Sequence, residues 1–215
     1  MCVSFFIDRD SKRLRELAET ANVSPLADRF RSLLASPILQ SGEVGPASVT
    51  PAIALNKKEI ETVFPMQWGF SLKPPAEGQT LPTCDVFNAR AETAGEKRAF
   101  APSWRSRRCI IPASWYFEWE HIPSENGRKR TGERWSIRPK NGKEVFLCGL
   151  YRMEAGLPKF VVLTRAPTAE LARIHDRMPL ILPEEKTAQW IDPGVKPEEM
   201  LCSAVTDLEI WRKSV

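Results

Sequence analysis

From Val49 to Trp119 the chain breaks into short apolar runs separated by proline and glycine. No other feature limits the fold as much. "ASVTPAIAL", "TVFPMQWGF" and "RCIIPASWYFEWE" are short, β-branched or aromatic, and bounded by turn residues, so each reads as a strand. "MCVSFFID" reads as a short strand at the start and "KFVVLTRAP" as a buried one. "RWSIRPKNGKEVFLCGLYRM" reads as a β-hairpin turning at Asn141-Gly142, because that dipeptide favours the turn whose twist matches paired strands. Helical spacing is confined to the two ends. "DSKRLRELAET" is amphipathic, with Leu14 and Leu17 inward and Asp10 or Ser11 as N-cap. "PLADRFRSLLAS" is a second helix stopped by Pro37. "TAELARIHD" is a third, capped by Thr168, and "PEEKTAQWI" a fourth, opened by Pro183. "KPPAEGQTLPT", with three prolines, is a loop. Strands in runs with helices at the ends argue for α+β rather than a doubly wound parallel sheet. A length of 215 residues suits one sizeable core, so residues 1–215 are expected to form a single domain.

Several function classes fall away. No apolar run approaches the roughly 18 residues a membrane helix needs, and no basic-then-apolar leader opens the chain. A cytoplasmic protein without a membrane partner is the expectation. The five cysteines (Cys2, Cys84, Cys109, Cys148, Cys202) are odd in number and scattered, which is neither a disulfide framework nor a zinc pattern. Cys109, Cys148 and Cys202 lie in apolar stretches and read as core. Gly-rich phosphate loops, GxSxG and HExxH are absent, so no metal or organic cofactor is expected. Net charge is +4. Between Arg105 and Lys140, nine Lys/Arg stand against four Glu. That local excess would suit a polyanion, and a solvated hairpin face would carry it equally well.

Four polar residues could carry chemistry. Cys2 follows the initiator methionine; once Met1 is removed it offers a thiol and a free α-amine on adjacent carbons. Glu118 lies in "WYFEWE" and on a strand shares a face with Tyr116 and Glu120. Burial there would raise its pKa toward acid–base use, whereas an edge strand would leave it a surface Glu. His175, one of two histidines, lies in "RIHDRMPLIL" and could equally be structural. Asn88, Arg90 and Glu92 alternate in "FNARAET" and on a strand share one face. A nucleophile, an amide, a carboxylate and an imidazole are an inventory for covalent attack on a carbonyl.

In this order and at these spacings, "MC", "FPMQWGF", "FNARAET", "RRCIIPASWYFEWE" and "IHDRMPLIL" resemble the SOS-response-associated peptidase (SRAP) family, whose members shield abasic sites in single-stranded DNA. Matching segments run from residue 1 to about residue 183. The resemblance implies a mixed α+β domain with a largely antiparallel, barrel-like β core and peripheral helices. It also implies a mechanism. Met1 is removed by autoproteolysis or by a host peptidase, the Cys2 amine condenses with the aldehyde of an opened abasic sugar, and the Cys2 thiol closes a thiazolidine. Asn88 would orient the Cys2 backbone, Glu118 would shuttle protons at the amine, and His175 would protonate the sugar ring oxygen. Arg90 would bind a neighbouring phosphate. Trp68, Pro51 and Thr164 fall where family members line the DNA groove, although Trp68 could be plain core. The partner is single-stranded DNA with abasic sites, and the protein a monomer.

The chain departs from the family pattern in places. Val3 and Ser4 follow Cys2 where Gly-Arg is usual, which removes a phosphate contact and a flexible residue. Ser48 replaces the usual Asn, "SLKPPAEG" follows "WGF", and the family's C-terminal His-Pro-Val-Ser motif is missing. Two alternatives follow: a non-catalytic DNA-binding module of the same fold that keeps Met1, and an N-terminal-nucleophile amidohydrolase.

Overall fold

The computed structural model describes residues 4–35, 37–73, 83–123, 129–140, 142 and 144–212. Strand β1 (Ser4–Ile7) is followed by helices α1 (Lys12–Asn22) and α2 (Pro25–Leu34). Strands β2 (Gly42–Val44), β3 (Val49–Leu55) and β4 (Glu61–Trp68) come next. Then β5 (Asn88–Arg90) runs directly into α3 (Ala91–Ala94), and α4 (Ala101–Ser106) precedes the long strands. These are β6 (Arg108–Ala113), β7 (Trp115–Pro123), β8 (Lys129–Pro139), β9 (Val145–Glu154) and β10 (Leu157–Arg165). The last third holds β11 (Met178–Pro179), β12 (Ile181–Leu182), α5 (Thr187–Ile191), α6 (Pro197–Met200) and β13 (Leu208–Trp211).

The strands form two sheets. One runs β13-β8-β7-β1-β2. The other closes on itself: β10 pairs β4, β4 pairs β3, β3 pairs β6, β6 pairs β9, and β9 returns to β10. The result is a five-stranded barrel, antiparallel except where β10 meets β4 and, outside the ring, β5. Closure removes the exposed strand edges that invite aggregation. It also explains the unbroken apolar runs. Along β9 and β10, Leu147, Phe160 and Val162 enter one buried cluster with Trp68 and Ile111, while Phe146, Cys148, Val161 and Leu163 enter a second with Trp104 and Trp190. Each barrel wall is thus buried on both faces, at period two. The inner face of the other sheet adds Phe5, Tyr116 and Ile137 to the first cluster.

The expected mixed α+β domain with a barrel-like core is therefore what the chain forms, but several local expectations fail. "RCIIPASWYFEWE" is two strands in different sheets, split at Ser114, whose N–H bonds to the Phe6 carbonyl at 2.8 Å. The 134–153 stretch is not a hairpin. β8 pairs β7 and β13, while β9 lies inside the barrel between β6 and β10. A strand apolar on both faces needs partners on both sides, and that demand outweighs the Asn-Gly turn signal; Asn141 itself lies outside the described residues. Helix α1 is capped by Ser11, whose Oγ accepts the Leu14 N–H at 3.3 Å. Helix α2 ends before Pro37 is reached, at Ala35 with φ of 49°. "TAELARIHD" makes only a 3₁₀ turn over Leu171–Arg173, although Thr168 does accept the Leu171 N–H. The Ile174 carbonyl is taken by the His121 N–H of β7 at 2.8 Å, which ties the segment to the sheet. Cys109 and Cys148 are core as expected, but Cys202 is exposed. The loop expected around residues 73–83 lies largely, and Cys2 wholly, outside the described residues.

Candidate active site

Glu118 is carried on β7 in an aromatic run, between buried Phe117 and exposed Trp119, and points the same way as buried Tyr116. It is only 3% exposed. Loss of hydration penalises a carboxylate, so burial pushes its pKa up to about 7, and the charge of Asp176 adds to the rise. His175 comes from the segment after β10 and is also 3% exposed. Burial pushes its pKa down to about 4, and His121 adds to that fall. The Arg177 N–H donates to His175 Nδ1 at 2.9 Å. That leaves the ring proton of the neutral imidazole on Nε2, which stands 3.9 Å from Glu118 Oε1. At neutral pH the carboxyl therefore shares a proton with solvent while the imidazole stays uncharged.

Strand β5 supplies the opposite wall. It runs parallel to β10 with Asn88 beside Val162 and Arg90 beside Thr164. Arg90 and Thr164 line one open cleft of roughly 550 Å³ with Glu118 and His175. Thr164 is buried, its Oγ1 donating to the Ala89 carbonyl at 3.3 Å, and Arg90 is exposed. Asn88 is half-buried on the same strand, two residues before Arg90. Glu92 does not continue that strand face. The chain turns into α3 at Ala91, and Glu92 instead receives both terminal nitrogens of Arg177, at 2.9 and 2.7 Å. Arg177 Nη2 also donates to the Thr164 carbonyl at 2.7 Å. This clasp fixes the 175–177 segment against β10 and α3.

Two expected groove residues are elsewhere. Trp68 is fully buried, stacked on Phe160 at 6.0 Å between centroids, its indole N–H bonded to the Phe87 carbonyl at 2.7 Å. Pro51 is buried on β3, opposite Pro65. Both read here as barrel core. The basic stretch is not a bare cationic strip either. Arg108 is 2% exposed and donates to the carbonyls of Trp104, Trp190 and Val195. Arg134 pairs with Glu43, Arg138 with Glu209 and Lys140 with Asp207.

Sequence reasoning missed Arg177 and His121. Strand alternation sends residues 118 and 121 to opposite faces, yet both reach His175, because β7 and β8 slip register between Trp119 and His121. His121, His175 and Asp176 are the one group among the described residues whose donor atoms, within 4.8 Å of one another, could hold a metal ion. Since His175 Nδ1 already accepts the Arg177 N–H, the trio suits proton handling better than ligation.

The family model of the SOS response associated peptidases (SRAP) matches residues 1–212. The abasic site processing protein YobE of Bacillus subtilis is 31% identical over 72% of this chain and 72% of its own length. YedK of Escherichia coli, likewise named an abasic site processing protein, is 31% identical over 74% of this chain and 68% of itself. The rat abasic site processing protein HMCES is 28% identical over 65% of this chain and 48% of itself. A crystal structure of a Bacteroides thetaiotaomicron protein superposes with a TM-score of 0.69 at 22% identity, covering 96% of this chain and 90% of that one. It shares the fold.

Proposed function

The chain belongs to the SOS response associated peptidase family, and from that premise we propose that it processes abasic sites in single-stranded DNA by bonding covalently to them through Cys2. The observation that carries this reading is the meeting of Glu118, His175, Arg90 and Thr164 in one cleft. Ser4, the first described residue, stands opposite Phe117, the neighbour of Glu118. Cys2 is two residues earlier, and two residues of chain span about 7 Å at most.

Removal of Met1, by autoproteolysis or by a host peptidase, frees the Cys2 amine. An abasic sugar in its ring-opened form presents an aldehyde. The amine adds to the aldehyde carbon and water leaves, giving an imine. The thiol then adds across the imine, its sulfur bonding to carbon and its proton going to nitrogen, which closes a thiazolidine. A side chain with a pKa near the working pH moves protons best in both directions. Glu118, at about 7, suits taking a proton from the amine and returning one to the departing water. His175 Nε2–H can donate to the ring oxygen as the sugar opens. Arg90, exposed at the cleft's rim, suits a phosphate beside the lesion, and Asn88 suits holding the Cys2 backbone. The protein then acts inside the cell as a monomeric sensor of damaged single strands.

The test is a denaturing gel of processed protein with abasic and intact single-stranded oligonucleotides. A covalent adduct is expected with the abasic strand alone, and Cys2→Ala abolishes it. Full crosslinking by Cys2→Ala sinks the thiazolidine. Intact mass that retains Met1 from every host, with DNA binding but no adduct, favours the non-catalytic module. Ammonia release from glutamine favours the amidohydrolase.

A further inference from the structure

The fold brings the chain's two histidines together. The ring centroids of His121 and His175 lie 3.9 Å apart, tilted by 54°. Backbone features on both sides enforce the contact. The His121 N–H is bonded to the carbonyl of Ile174, the residue before His175. Across the strand pair, Trp119 faces Arg134 and His121 faces Thr131, so Gly132 and Glu133 together oppose Glu120 alone. Such a bulge bends and twists a strand pair. Gly132 sits in the bulge under the side-chain ends of Glu120 and Ile122, whose Oε2 and Cδ1 lie 2.8 Å from where a Cβ would stand.

The two rings differ in access to water. His175 is 3% exposed, whereas His121 is half-buried on the cleft wall. A buried acid that gives up a proton needs a path by which to regain one. The charged groups around the pair are Glu118 on β7, Arg90 on β5, Glu92 on α3, and Asp176 and Arg177 beside His175 itself. Arg177 is committed to Glu92, and Asp176 Oδ1 lies 3.0 Å from His175 Nδ1. Two imidazolium rings in contact repel, so the pair holds one proton between its members far more readily than two.

We propose that His121 is a positioning residue for the reactive proton, a relay through which the buried His175 is recharged from solvent. This rests on reading the cleft as the place where an abasic sugar opens. His175 gives its Nε2 proton to the sugar ring oxygen, the His121 imidazolium supplies that nitrogen with a replacement and becomes neutral, and His121 takes another proton from water or buffer.

The experiment has two arms. In the first, crosslinking rates to an abasic single-stranded oligonucleotide are followed against pH for wild type, His121→Gln and His121→Ala, with binding measured separately by fluorescence anisotropy. The variants are expected to lose about tenfold in rate near neutral pH at unchanged affinity, and added imidazole is expected to restore His121→Ala. An unaltered rate, or a loss that imidazole does not rescue, overturns the relay. The second arm needs neither DNA nor activity. In NMR titrations of the wild type, each of two proton-binding steps should register at both rings, and His121→Gln should move the His175 titration to higher pH. A His175 titration identical in the two proteins overturns the proposal. A wild type with coupled rings but no adduct at all overturns the abasic-site reading instead.

Discussion

Strand β10 carries a buried polar cluster at each end, and the two are built on opposite principles. Near its start, Lys159 is 1% exposed, with Nζ 3.3 Å from Glu154 Oε2 and 3.4 Å from both Ser71 Oγ and the Thr83 carbonyl. Arg152 donates to Glu154 Oε1 at 2.7 Å, and the Ser71 N–H adds a bond at 3.0 Å. Burial alone would raise the Glu154 pKa, but the bonds from Ser71 and Arg152 and the charge of Lys159 hold it below the usual carboxylate value. Near its finish, Thr164 adjoins the cleft where burial drives Glu118 up to about 7 and His175 down to about 4. The first cluster keeps its charges because each has a partner, and it serves structure. In the second, burial works against charge on both groups, and protons there can move at neutral pH. Burial costs at both ends; what separates a strut from a reactive site is whether the bonds and charges around the carboxyl outweigh it, as they do at Glu154 and do not at Glu118.

The largest expected effect lies beside the strut. Trp68→Ala should destabilise the fold by about 3–5 kcal/mol by urea denaturation, whatever it does to DNA binding; a stable variant defective only in DNA binding would return Trp68 to the groove. Lys159→Met leaves Glu154 buried with one cation fewer and should cost about 3 kcal/mol. A neutral result there would erase the contrast between the two ends.

At the cleft the sign reverses. Between pH 4.5 and about 7 the folded protein holds a proton on Glu118 that the unfolded chain has lost, so this group's contribution falls as pH rises through that window. His175 opposes it. Its contribution is present above pH 6.5 and is lost as pH falls toward about 4. The slopes largely cancel in the wild type between pH 4.5 and 6.5. Glu118→Gln should expose the His175 slope and gain about 1–3 kcal/mol over wild type at pH 8, while crosslinking falls sharply. Denaturation at pH 5 and pH 8 measures it, and a loss of stability at pH 8 would show that Glu118 is a structural carboxylate. The smallest effect belongs to the surface. Glu209→Gln, which removes the ion-pair partner of half-exposed Arg138 but leaves it stacked on Trp211, should change stability by no more than about 0.5 kcal/mol.

How much of this was legible beforehand follows a physical line. Glu118, His175 and Arg90 could be picked out by type and setting and Thr164 by resemblance alone, and the cleft unites them. Trp68 could not be assigned from sequence, since a tryptophan in an apolar run fits a core and a stacking surface equally well. Glu92 looked like a strand neighbour of Arg90 because alternation holds only while the strand lasts, and it ends at Arg90. His121 could not be seen at all, because its approach to His175 depends on a bulge in a partner strand.

By itself the sequence settled the matters governed by near neighbours and by period. These were strands in runs, a helix cap at Asp10 or Ser11, a buried β10, an α+β class, and an aromatic setting for one glutamate. Tertiary structure decided what depends on partners far along the chain. It closed β9 and β10 into a barrel despite an Asn-Gly turn signal, and sent β6 and β7 into different sheets. It also placed two imidazoles in contact across 54 residues of sequence. Side-chain proximity of that kind is set by burial and pairing summed over the whole domain, and no local window of sequence contains it.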